Sequence, residues 1–153
     1  MKVTQADIEK VMQLEPRLTP EGITPTPSAS DDEVLRILNQ PRPSNPADLL
    51  GMVEQVQICC DWLQQQKRVG VDDVNSHWSY GLAWELSLSL NRHISNGAMI
   101  AACILLGIEY KYKRTTDDSV VCGISRRVRT FSYADMRKLT QLREQAVNDP
   151  MRK

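Results

Sequence analysis

Seven of the eight prolines in this 153-residue chain fall between Pro16 and Pro46. Proline holds φ near about −65° and donates no backbone hydrogen bond, so regular structure across that stretch must be short. Thr4, with Asp7 three residues on, marks a helix start, and Ile8, Val11 and Met12 continue it as an apolar stripe that Pro16 ends. Residues 17–29 show no period and favour extended or polyproline backbone, as a linker does. Ser30 before Asp31, Asp32 and Glu33 is a second capping signal, and Val34, Ile37 and Leu38 form a second short stripe. Helices of this length are marginal alone, so each must dock on the chain itself or on a partner. Ile8, Val11, Met12, Val34, Ile37 and Leu38 are therefore the candidate partner-binding residues of an arm spanning residues 1–44.

Asn45 followed by Pro46 is an N-cap with proline at the first helical position, and a domain over residues 45–149 begins there, with 150–153 as a tail. Leu49, Val53, Val56, Cys60 and Leu63 recur at helical spacing, which predicts one helix reaching Lys67; a coiled-coil seam is the alternative reading. Ser76 is the expected cap of a second helix, with Trp78, Leu82, Leu86 and Leu90 on one face and Tyr80, Trp84 and Leu88 on another, a pattern that predicts burial on both sides. The alternation at residues 86–90 also admits a strand. Ser95 caps a third helix, whose run over 98–106 is the most apolar in the chain but far shorter than the ~20 residues that span a bilayer. Beyond Gly107 the period becomes two: Ile108, Tyr110 and Tyr112, then turn residues 115–119, then a returning strand over 120–124. Ser132 and Asp135 open a closing helix through Met136, Leu139, Leu142 and Ala146. The fold class is thus mainly α (α+β): two arm helices, three core helices, one antiparallel β-hairpin and a final helix.

That order resembles the second half of a winged-helix domain, in which a hairpin wing follows the recognition helix. The net charge of zero conceals an acidic first part, with five Lys/Arg against ten Asp/Glu in residues 1–62, and a basic remainder, with fourteen against nine. Lys111, Lys113, Arg114, Arg126, Arg127 and Arg129 gather on and after the hairpin and are either a solvated basic surface or the candidate nucleic-acid contacts, suited to phosphate more than to bases. The helix in the recognition position offers only Asn96 to a base edge. An acidic arm can equally cover the basic part of its own chain.

Catalytic and metal-binding patterns are weak. His77 and His93 have no metal-ligand spacing, no serine stands in a nucleophile elbow, and the seven glycines form no phosphate loop. No cofactor and no metal are expected. Glu85, in an apolar helix, is a buried acid, an exposed position or a partner for Arg92. Cys59, Cys60, Cys103 and Cys122 lack the Cys-x-x-Cys spacing and lie in apolar segments, so reduced structural thiols are expected, with the vicinal pair as a redox alternative. At Ser95-Asn96-Gly97-Ala98 a cap is followed by small residues, which admits either the close approach of another backbone or a ligand at the helix N-terminus.

Ser79-Tyr80-Gly81-Leu82, followed by His93-Ile94-Ser95-Asn96-Gly97-Ala98-Met99-Ile100-Ala101-Ala102 and Leu106-Gly107-Ile108, resembles a motif of small, mostly uncharacterised proteins of phages and other mobile elements, loosely over residues 60–125. The resemblance implies a bacterial host setting and no activity. With residues 1–7 lacking the apolar stretch of a signal peptide, the expected location is the cytoplasm of that host, without a membrane segment. The function expected is that of a non-enzymatic protein acting on a protein partner, with winged-helix-like nucleic-acid binding as the alternative and a homodimer left open.

Overall fold

The structure, a computed structural model, describes residues 2–23, 46–112 and 119–128, together with 134, 135, 137, 138, 141 and 142. Val34, Ile37, Leu38, Lys113, Arg114, Arg129 and the second arm helix lie outside the described residues. The fold is mixed α+β, mainly helical, with small antiparallel sheets.

Helix α1 (Gln5–Leu14) starts at the expected capping box: the Thr4 hydroxyl accepts from Asp7 N, and the Asp7 carboxylate accepts from Thr4 N. Of the expected linker over 17–29, residues 24–29 lie outside the described residues, and 17–23 depart from the expectation, because β1 (Leu18–Thr19) and β2 (Gly22–Ile23) pair as a small hairpin. Thr19 Oγ1 ties that turn by donating to Gly22 O (3.1 Å) and accepting from Glu21 N (3.2 Å), and Gly22 supplies the φ of 135° that an L side chain would resist. Val3, Ile8, Val11, Leu18 and Ile23 are all buried in the same core as the later helices. Ile8 and Val11, with Met12 partly buried beside them, thus pack on their own chain, and the partner-binding role expected of them is taken by intramolecular packing. The reason is geometric: an amphipathic helix of three turns gains most by covering the nearest apolar surface.

The single helix expected over 45–67 is interrupted. A 3₁₀ turn (Pro46–Gly51) precedes α2 (Val53–Leu63), with the break at Met52 (φ −109°, ψ 20°), next to a glycine that favours no helix. The apolar seam survives the break, since Leu49, Val56, Cys60 and Leu63 remain buried. Ser76 is not a cap: β3 (Ser76–Trp78) is a strand, and α3 (Ser79–Leu90) begins after Trp78 without a side-chain cap. A non-local partner decides this, because His77 and Trp78 pair with Cys122 and Val121 on the far side of the sequence. The alternating residues 86–90 are helical, with Ser87 and Ser89 donating to the Ala83 and Glu85 carbonyls (2.7 and 3.0 Å).

Helix α4 (Asn96–Leu105) follows the Ser95 cap, whose hydroxyl accepts from Ala98 N (3.1 Å). Strands β4 (Tyr110–Tyr112) and β5 (Val120–Ser125) form the expected hairpin, but the sheet has three strands in the order β3-β5-β4. β5 lies in the middle and is buried along almost its whole length. Helix α4 is the hub of the molecule, packed against α1, α2, α3 and the N-terminal hairpin. The positions described between 134 and 142 are helical and exposed.

Candidate functional site

Helix α3 buries one face and leaves the other bare. Leu82, Ala83, Leu86 and Leu90 enter the core, whereas Tyr80, Trp84 and Leu88 are 61%, 56% and 64% exposed. The two-sided burial expected of this helix is therefore corrected, because α4 and the sheet cover only its inner side. Four-residue spacing sets Tyr80, Trp84 and Leu88 in one stripe, and at about 100° per residue the arc centred on Trp84 also takes in Gly81, Ser87 and Asn91. None of these is charged.

The single charged residue of α3, Glu85, stands beside this arc and meets His77 across from β3, Oε1 to Nε2 at 3.4 Å. The His77 ring lies on Gly81 so closely that a Cβ there would come 2.8 Å from its Nδ1. Arg92, the partner expected for Glu85, instead donates to Glu54 (3.1 Å), because the chain turns at Asn91 and carries Arg92 toward α2. At the start of α3, the Ser79 hydroxyl accepts from Val120 N and meets the Ser119 hydroxyl, each at 3.0 Å, which fixes the helix to β5.

Helix α4 has no free face for recognition over its first turns, since residues 96–103 are all buried. The N-terminal hairpin sits on its start: Gly97 N donates to Pro20 O (2.9 Å) and Asn96 Nδ2 donates to Glu21 O (3.1 Å). Asn96, the one base-edge candidate, is thereby engaged within the chain. Of the two readings of Ser95-Asn96-Gly97-Ala98, close backbone approach is the one realised.

The basic candidates within the described residues, Lys111, Arg126 and Arg127, do not converge. Lys111 Nζ forms an exposed ion pair with Asp72 (3.0 Å), Arg126 Nε donates to Ser76 O (3.0 Å), and Arg127 is exposed. Lys111 pairs with Val121 near the start of β5 while Arg126 and Arg127 follow its end, which separates them by roughly 15 Å along the strand.

All four cysteines are free thiols and fully buried, with Cys103 Sγ donating to Cys122 Sγ at 3.7 Å. Cys59 and Cys60 are both closed to solvent because α2 is covered nearly all round over residues 58–63, so the vicinal pair lacks the access that redox chemistry requires. Among the described residues no group of three or more His, Cys, Asp or Glu is placed to hold a metal ion. Burial, then the neighbouring Cys60, pushes the Cys59 thiol well above its ordinary 9.0, and the hydrogen bond to Cys122, then burial, does the same for Cys103. Both shifts are upward, so the stability linked to these thiols is fully present below pH 9 and is lost as pH rises from there toward the folded values. The urea midpoint is expected to fall between pH 8.5 and 10.5, and to fall less in Cys59→Ala. A fall as steep in that variant as in wild type would place the cause elsewhere.

No helix among the described residues is long and apolar enough to cross a membrane. No protein-family model, curated protein or solved structure matches the chain. The outward stripe of α3 is the most conspicuous exposed apolar feature of the described residues, although its pattern alone predicts burial. No local signal separates it: the outer stripe is interleaved with Ser87 and Asn91 and the inner stripe of Leu82, Leu86 and Leu90 with Ser79 and Ser89, and only the packing of α4 and β5 against the inner side distinguishes them.

Proposed function

We propose that this chain is a non-enzymatic binding protein, of the phage or mobile-element type its motif resembles, acting on a protein partner through the outer face of α3. One observation carries the reading: Tyr80, Trp84 and Leu88 are more than half exposed in a single stripe on a helix whose other side is firmly packed. Contiguous apolar surface of this kind marks interaction sites, and tryptophan and tyrosine are the side chains that most often dominate binding energy there. Among the described residues, Ser79 fixes α3 to β5, Ser95 caps α4, and the thiols are buried, which gives these groups structural duties. Capture from host lysate supplemented with untagged copies of this chain tests the reading. A protein retained by wild type is expected to be lost with Trp84→Glu, and identical captured sets from the two would refute the reading.

One observation favours a second reading. β3, between α2 and α3, joins the hairpin as a third strand, giving the order helix, strand, helix, helix, strand, strand that a winged-helix-like nucleic-acid binder would have. With α4 covered, such binding would fall to Lys111, Lys113, Arg114, Arg126, Arg127 and Arg129 and address phosphates without base reading. Salt-sensitive retardation of arbitrary duplex DNA, lost when Arg126, Arg127 and Arg129 become alanine, is its signature.

A further inference from the structure

We infer that the partner of the α3 face is a second copy of this chain, docked antiparallel about a two-fold axis through Trp84; this rests on the protein-binding reading above. The stripe is self-complementary. Tyr80 and Leu88 stand four residues on either side of Trp84, so a two-fold axis at Trp84 sets Trp84 against its equivalent and Tyr80 against Leu88 of the other copy, twice. A span of eight residues covers about 12 Å of helix, the length over which two crossing helices stay in contact.

Charge points the same way. The arc of Tyr80, Trp84, Ser87, Leu88 and Asn91 contains no Asp, Glu, Lys, Arg or His that two copies would bring into opposition, and at its edge the His77 ring covers Gly81 and faces Glu85. An oppositely charged partner would find nothing on this face to complement, whereas an uncharged apolar copy meets its like without repulsion. The area sets the strength. Two aromatics and a leucine, each somewhat over half exposed, offer roughly 400 Å² per copy, about half of the ~800 Å² that each side of a standard interface contributes. The association is accordingly a reversible one in the micromolar range or weaker, dependent on protein concentration.

Sedimentation velocity of the full chain from about 2 to 200 μM tests this, with micromolar affinity setting the range. Wild type is expected to shift from monomer toward dimer across it, and Trp84→Glu, which sets two carboxylates together on the axis, to remain monomeric with an unchanged urea midpoint. Tyr80→Lys and Leu88→Glu are each expected to weaken self-association, and mixing the two to restore dimers, because the antiparallel register sets Lys against Glu in the heterodimer. A wild type that stays monomeric throughout, a Trp84→Glu that still dimerises, or a mixture that gains nothing over its components would overturn the inference. The broader reading fails separately: a monomeric wild type that still captures a host protein lost with Trp84→Glu leaves it standing with a different occupant, and one that captures nothing specific removes both.

Discussion

Gly97→Ala is expected to destabilise the protein by about 1 to 3 kcal/mol, although alanine is the better helix former by ~1 kcal/mol. A Cβ at this position would lie 2.7 Å from Pro20 Cα and closer still to Thr19 O, and both are backbone, which cannot swing aside as a side-chain tip can. Relief requires the N-terminal hairpin to lift from α4, and that breaks the Gly97 to Pro20 hydrogen bond and uncovers Leu18 and Ile23. Gly51 and Gly70 serve as controls: a Cβ added at either would meet no atom within 4 Å, so alanine there should move the urea midpoint little. The measurement is equilibrium unfolding of the three variants, with hydrogen exchange of the Gly97 amide as a local readout. Gly97→Ala as stable as Gly70→Ala would show that the hairpin does not rest on α4 in solution.

Gly97 also shows what a sequence can reveal on its own. Its place after the Ser95 cap, among small residues, is a local pattern with a physical meaning, and it points to close backbone approach without saying whose. The same holds for the Leu49, Val56, Cys60 and Leu63 seam and for the change to period two after Gly107, since both depend on neighbours along the chain. Features decided by distant pairing are hidden. Ser76 reads as a helix cap until Cys122 and Val121 are seen to hold His77 and Trp78 as a strand. Arg92 reads as the partner of Glu85 until the turn at Asn91 carries it to Glu54. The candidate site is the clearest case: periodicity shows that Tyr80, Trp84 and Leu88 share a stripe, but whether another layer covers that stripe is a property of the assembled fold.

Ile8→Ala is expected to cost about 2 to 5 kcal/mol of stability, the range for removing a fully buried branched side chain. Ile8 and Val11 are wholly enclosed, and α1 is held from several sides: Val3 N donates to the Gln57 side chain on α2, and Tyr110 on β4 donates through its hydroxyl to Glu15 (3.2 Å) at the end of α1. An arm held so would be felt by the whole fold, and fluorescence of the buried Trp62 on α2, followed through urea unfolding, should report the loss as one cooperative transition at lower denaturant. A partner-binding arm predicts the reverse, an unchanged midpoint with reduced partner capture, so that result would return Ile8 to the interaction surface. The distinction governs how function is tested. Deleting residues 1–23 would remove Val3, Ile8, Val11, Leu18 and Ile23 from the core together and bare the start of α4, so a loss of binding in that truncation would report unfolding. Trp84→Glu changes only an exposed side chain and leaves the core intact, and it is therefore the substitution that separates binding from folding.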